Sequence, residues 1–314
     1  MKIKKEIIVW RFVDGKIGHE KQSLALGNFL KQEIKIKSFD IFTTGILFTF
    51  LTKIKYLKKL PSPDLIIGVG HDVHLSILII KAIFGGKSVL IMKPSFPVHW
   101  FDLCIIPEHD QYHGKGLVYK TKGALCDIKK RDKKNPKKGL ILIGGISRNF
   151  IWDTDYIVKQ IKQLVLNNPK IDFDLTTSRR TPIDFLLKLD EHKEELKKNL
   201  RIINTKEQKK NWVIVKMNKA KFSWITEDSI SMISESLTSG QLVGILELKN
   251  NKGNRRREAL KILKKEGWIF YDQDQNFQNK NKLKIFPNEA EKCAVWIKNN
   301  LFNSYQFKTT KKNG

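Results

Sequence analysis

Short apolar runs separated by longer amphipathic stretches recur along this chain twice over, and few folds accommodate that rhythm. Runs of four to eight apolar residues read as strands buried on both faces, and the intervening 3.6-residue periodicity reads as helices that cover a parallel sheet. In the first half the expected strands are 7–12, 34–39, 65–69, 88–92 and 103–106, with helices near 21–32, 47–57 and 73–84. The polar run K-K-R-D-K-K-N-P-K-K at 129–138 reads as a linker. The pattern then restarts with a strand at 139–143, a helix at 156–167, a strand at 171–176 and a helix at 183–189 opened by Pro182. Further strands are expected at 222–225, 242–246 and 268–271, and a last helix at 288–301. The expected fold is α/β, with two Rossmann-like domains facing each other across a cleft. The expected segments are 1–130, 139–287 and a C-terminal helix with a basic tail at 288–314.

Composition narrows the partners. Lysine and arginine total 59 against 32 acidic residues, a net charge of +27, and only nine of the basic residues are arginines. A general drift towards lysine accounts for much of this excess. The charge still favours phosphate-bearing substrates and an anionic membrane surface. No nucleic-acid motif or aromatic stacking platform accompanies it, so specific nucleic-acid binding is not expected. The three cysteines are far apart, which argues against a disulfide framework or a metal site and for a reducing compartment. No apolar run reaches membrane-spanning length. A cytoplasmic protein is expected, peripheral to the inner face of the cytoplasmic membrane if it meets a bilayer.

Residues 224–240, W-I-T-E-D-S-I-S-M-I-S-E-S-L-T-S-G, run from a strand into a helix. Ile230, Ile233 and Leu237 form its buried stripe. Glu227, Ser231 and Glu235 are spaced i, i+4, i+8, which would line one helix face with carboxylates and a hydroxyl. A plain capped helix, with Thr226 or Asp228 as N-cap, is the alternative. Ligands of open α/β sheets bind at the strands' carboxyl ends, where helix N-termini attract phosphate. Gly144-Gly145 and T-T-S-R-R-T-P at 176–182, with Ser178, Arg179 and Arg180, lie at two more such ends and would suit a diphosphate. Arg255, Arg256 and Arg257 read equally as a solvated helix face.

In the first half, Asp14-Gly15-Lys16-Ile17-Gly18-His19 follows the first strand. Gly15 and Gly18 would permit a tight turn, with Asp14 and His19 placed for proton transfer or phosphate contact. Gly68-Val69-Gly70-His71-Asp72 and Pro107-Glu108-His109-Asp110 end two other strands and would bring His71, Asp72 and His109 to the same side.

Taken in order, D-G-K-I-G-H-E-K-Q at 14–22, I-G-V-G-H at 67–71, M-K-P-S at 92–95 and W-F-D-L-C-I-I-P-E-H-D at 100–110 continue into G-L-I-L-I-G-G at 139–145. With T-T-S-R-R-T-P at 176–182 and W-I-T-E-D-S-I-S-M-I-S-E at 224–235, the set resembles the mitochondrial fission (elongated mitochondria) family. That family contains bacterial glycosyltransferase-like proteins related to a plant factor required for mitochondrial fission. The resemblance implies a GT-B-like architecture, with the C-terminal domain holding a nucleotide-diphosphate sugar and the N-terminal domain presenting the acceptor. It implies metal-independent sugar transfer to a cell-envelope acceptor, with no cofactor. The E-x7-E spacing of Glu227 and Glu235 resembles the donor-site pattern of many GT-B enzymes, in which the second glutamate contacts ribose or sugar. Donor-side residues would be Gly144, Gly145, Ser178, Arg179, Arg180, Glu227, Asp228, Ser231 and Glu235. The loop holding His19 resembles the glycine-rich first loop of the peptidoglycan N-acetylglucosaminyltransferase. His19 and Asp14 would be catalytic, and Gly15, Gly18, His71, Asp72 and His109 would lie on the acceptor side. A non-catalytic membrane-recruiting protein and a nucleotide-sugar epimerase are the alternatives.

Overall fold

The computed structural model describes residues 6–43, 54–203, 211–250, 255–271 and 286–303. The chain forms two compact units, one of residues 1–127 with 288–314, the other of residues 128–287.

The first unit is built on a six-stranded parallel sheet. Its strands are β1 (Ile7–Val13), β2 (Ile36–Phe42), β3 (Leu65–Val69), β4 (Lys87–Ile91), β5 (Leu103–Pro107) and β6 (Val118–Thr121), in the order β2-β1-β3-β4-β5-β6. Strand β3 is buried throughout, as its unbroken apolar sequence requires. Helices α1 (Ile17–Glu33) and α2 (His74–Phe84) connect strands. On one face of the sheet Ala25, Leu26, Phe29 and Leu30 of α1 cluster with Ala290, Cys293, Ala294 and Ile297. On the other, Val73, Ile77 and Ile80 pack with Trp10, Phe12 and Ile66. The order reverses between β1 and β3, so the switch point of this sheet lies where those two strands end.

The second unit repeats the plan. Strands β7 (Asn135–Leu142), β9 (Asp172–Thr176), β10 (Leu200–Ile203), β11 (Ala220–Thr226), β12 (Leu242–Leu246) and β14 (Ile269–Tyr271) pair in parallel in the order β10-β9-β7-β11-β12-β14. A small antiparallel pair joins β8 (Phe150–Ile151) to β13 (Lys249–Asn250). Helices α3 (Thr154–Leu166), α4 (Ile183–Asp190), α5 (Lys193–Leu196), α6 (Trp212–Lys219), α7 (Ile230–Thr238) and α8 (Arg255–Lys265) follow in chain order. Asp153 caps α3 by accepting from the Tyr156 N–H at 2.9 Å. This sheet reverses between β7 and β11.

The last helix, α9 (Glu289–Leu301), has Asn288 as its cap, accepting from the Glu291 N–H at 3.2 Å. It belongs to the first unit and packs along α1, and Lys298 pairs with Glu33 at 3.0 Å. The run 129–138 is not wholly a linker, because Asn135–Lys138 form the exposed start of β7. Proline, which lacks an N–H, is tolerated there because the β7–β11 pairing shifts register just beyond Ala220. Most of the helix expected at 47–57 lies outside the described residues.

Candidate functional site

Each sheet gathers chemistry at its switch point. In the first unit, β1 runs into Asp14 and then Gly15, whose φ of +76° turns the chain into α1. The Asp14 side chain is buried, only 2% exposed, and its Oδ2 lies 2.7 Å from His19 Nδ1. A carboxylate can only accept, so this contact places a proton on Nδ1 and, in the neutral ring, leaves the Nε2 lone pair available. The His19 ring sits against Gly70 at the end of β3. Gly70 has φ +83°, and a Cβ there would collide with the ring, so glycine is required twice over. Gly18 does not share in the turn. It lies in the first turn of α1 with open space beside it, so the tight turn rests on Gly15 alone.

His71 and Asp72 follow Gly70 on a single helical turn, and both are exposed. Asp72 pairs with Lys16 at 2.7 Å, which ties the β3 loop to the β1 loop. His71 Nδ1 lies 2.6 Å from Ser95 Oγ in the loop after β4. That loop begins at Met92, a non-glycine residue at φ +79°. His74, first residue of α2, is buried, and its Nδ1 accepts from the Ser95 N–H at 3.3 Å. Burial, then the neighbouring His71, pushes the His74 pKa down to about 4, so this ring is neutral. His109 stands after β5, one strand beyond β4 in the sheet, with Nε2 3.9 Å from Asp110 Oδ1. The structure thus joins Asp14, His19, Gly70, His71 and Asp72 in one cluster and leaves His109 apart from it.

In the second unit the switch point is closed by Asp228. Its side chain is fully buried. Oδ1 accepts from Thr226 Oγ1 at 2.7 Å, and Oδ2 accepts from Arg180 Nη2 at 2.7 Å, Ser229 Oγ at 3.1 Å and the Gly145 N–H at 3.2 Å. The Gly144 N–H donates to Thr226 Oγ1 at 2.8 Å. Side chains at 144 and 145 would collide with Asp228 and with the Arg180–Thr181 backbone respectively. Ser178 and Thr181 both donate to the Gly144 carbonyl. Ser178, Arg180 and Asp228 therefore lock three strand ends together, whereas Arg179 is exposed and without an ion-pair partner among the described residues, free to meet a ligand.

Glu227 does not line the helix. Helix α7 starts only at Ile230, with Ser229 as N-cap, so an i, i+4, i+8 face cannot reach back to residue 227. Glu227 is wholly buried and accepts from the Leu248 N–H at 3.0 Å, Tyr271 Oη at 3.2 Å and Arg257 at 3.4 Å. Burial raises its pKa, against the opposing pull of these donors. Ser231 is exposed and Glu235 half-buried one turn further on. Neither Thr226 nor Asp228 is the cap, and Ser229 spends its hydroxyl on Asp228, so no side chain caps α7. Arg256 and Arg257 turn inward: Arg256 Nη1 donates to the Asp228 carbonyl at 3.0 Å and Arg257 reaches Glu227. Three arginines in succession, in a chain with nine, were the available signal for this; the reading as a solvated face is overturned for Arg256 and Arg257.

Two parallel six-stranded sheets with polar clusters at their switch points define the GT-B-like α/β class, and solved structures bear this out. A UDP-GlcNAc 2-epimerase from Neisseria meningitidis, bound to UDP-GlcNAc, superposes with a TM-score of 0.61 at 10% identity, covering 95% of this chain and 100% of that one. A glycosyltransferase from Rickettsia africae superposes with a TM-score of 0.56 at 11% identity, covering 95% and 99%. An uncharacterized protein of Rickettsia prowazekii (strain Madrid E) is 25% identical over 295 aligned positions, covering 74% of this chain and 81% of that protein. Residues 17–301 match the family described as Mitochondrial fission ELM1, and the chain belongs to that family.

Proposed function

We propose that this protein is a glycosyltransferase that binds a nucleotide-diphosphate sugar at the β7–β11 switch point and transfers the sugar to a hydroxyl of a cell-envelope acceptor. The observation that carries the catalytic reading is the Asp14–His19 pair. A buried carboxylate holds Nδ1 at 2.7 Å, and Gly70 gives the ring a seat, which is how a general base is oriented. His19 Nε2 takes the proton of the acceptor hydroxyl as that oxygen attacks the anomeric carbon. The bond from that carbon to the diphosphate oxygen breaks, and the diphosphate leaves. Arg179 and the uncapped first turn of α7 neutralise its charge. Glu235, one turn inside α7, accepts from ribose or sugar hydroxyls.

Calorimetric titration with nucleoside diphosphates tests the donor half. Binding is expected, weakened roughly tenfold, about 1.4 kcal/mol, by Glu235→Ala or Arg179→Ala. Absence of any nucleotide binding by the pure protein would sink the reading. The test of the acceptor half is His19→Asn, which should lower transfer by about 10²–10⁴-fold while leaving nucleotide affinity unchanged.

Epimerisation of the same nucleotide-sugar is the second reading, favoured by the fold shared with the UDP-GlcNAc 2-epimerase; product analysis separates the two. No described helix is long and apolar enough to cross a membrane. The net charge of +27 supports peripheral contact with an anionic bilayer at the cytoplasmic face. Salt-sensitive cosedimentation with anionic vesicles checks that.

A further inference from the structure

The carboxyl ends of the second unit's strands carry the donor reading, yet a cavity of that unit lies at the opposite end. A pocket of about 420 Å³ is lined by Arg131, Lys133, Lys138, Lys219, Val215 and Asn218. Lys138 lies in the N-terminal half of β7, six residues before Gly144, so roughly 20 Å of extended chain separates the two places. The pocket volume is within the range of small-molecule sites, about 300–1,000 Å³.

Four cations line this pocket, and among the described residues only one of them finds an ion-pair partner. Lys138 pairs with Asp172 at 2.8 Å. Arg131, Lys133 and Lys219 make no ion pair with a described residue, and the nearby Asp132 is taken by Lys130 at 2.9 Å. Between Lys133 and Asn135 in the chain, the Lys134 ammonium is drawn inward to donate to the Met217 carbonyl at 2.7 Å. Burial first, then the Arg131 charge, holds its pKa down to about 8. Two further groups give the pocket chemical shape. Asn218 Oδ1 is buried and has no hydrogen-bond partner, an acceptor in want of a donor. Val215, on the same helix α6, is half exposed and offers an apolar wall.

We propose that this pocket is a second ligand site, for a small phosphate ester bearing hydroxyl groups, a sugar phosphate or a mononucleotide. The phosphate meets Arg131, Lys133 and Lys219; a ligand hydroxyl donates to Asn218 Oδ1; the carbon skeleton lies on Val215. The site is separate from the donor site and stands or falls independently of it. Because α6 and β7 both line it, an occupant braces the amino-terminal half of the strand whose other end carries Gly144-Gly145.

The test is calorimetric titration of the full chain with a hexose 6-phosphate, with pyrophosphate and with the free hexose. Both phosphate compounds should bind and the free hexose should not. Lys133→Glu combined with Lys219→Glu, both at exposed positions, should weaken both phosphate compounds by roughly tenfold or more. Asn218→Ala should weaken the hexose phosphate several-fold and leave pyrophosphate unchanged. Glu235→Ala and Arg179→Ala should leave hexose-phosphate affinity untouched, which separates this site from the donor site whatever becomes of the latter. Undiminished hexose-phosphate binding in the Lys133/Lys219 variant would overturn the proposal. So would binding of a single-stranded oligonucleotide, lost in that variant, with no binding of hexose phosphate, since the surface would then serve nucleic acid.

Discussion

Asp228 holds a negative charge where almost no water reaches it, and four donors compensate it. Its value lies less in any one pair than in what its removal would strand: the Gly145 N–H, the Thr226 hydroxyl and Arg180. Asp228→Ala should therefore cost about 3 kcal/mol in chemical denaturation, although Arg180 is itself nearly half exposed. His74 gives a pH signature of definite sign. Its pKa is about 4 in the folded protein against 6.5 for the free side chain. Between those values the unfolded chain binds a proton that the native state does not, so stability present above pH 6.5 is lost as pH falls towards 4. At most about 3 kcal/mol is at stake. Stability measured at pH 7 and pH 4.5 should show the gap between wild type and His74→Leu narrowing at the lower pH. Gly70→Ala combines a left-handed backbone, worth about 1–2 kcal/mol, with displacement of the His19 ring. It should reduce transfer as severely as His19→Asn while nucleotide affinity holds, a pattern that simple unfolding would not give.

At the scale of elements, strands and helices that span a sheet face announced themselves and those at its margins did not. Strand β3 and helix α9 follow from apolar runs and periodicity. Strands β6 (V-Y-K-T) and β10 (L-R-I-I) are short and partly exposed, so neither alternation nor a continuous run marks them. Helix α6 went unnoticed for a related reason: it is eight residues long, only Met217 is buried, and it starts from Asn211 at φ +67°. Candidate residues divide along the same line. Asp14 and His19 were legible because a β-strand end, a glycine and five residues of spacing put them together. The i, i+4, i+8 reading of Glu227 failed because spacing says nothing about where a helix begins. That Gly70 seats His19, and that Asp228 faces Gly144-Gly145, are contacts between distant segments, which no local pattern encodes. The packing of Asp228 and Ser229 against the strand end has a measurable consequence: Gly144→Ala should destabilise the second unit by about 2 kcal/mol, read as a lowered denaturation midpoint.

For the whole molecule, the decisive feature is that the first unit is made of two stretches of chain, with the second unit encoded between them. Cys293, Ile297 and Phe302 are each at most 2% exposed against the core that includes Leu26, Phe29 and Leu30. Burying an apolar side chain of this kind contributes about 1.5–3 kcal/mol, so losing all of them removes a large part of an ordinary domain's stability of about 5–15 kcal/mol. A chain ending at residue 287 should lose the first unit's cooperative transition in scanning calorimetry and keep the second's. During synthesis the same arrangement imposes an order. The 128–287 unit is finished on the ribosome while α1 still presents a bare apolar flank, and helix α9, made after that unit, closes it. Folding of the half that carries His19 is thereby held until residues 289–301 have been made, and in that interval the nascent chain is a natural client for chaperones that bind exposed apolar helices.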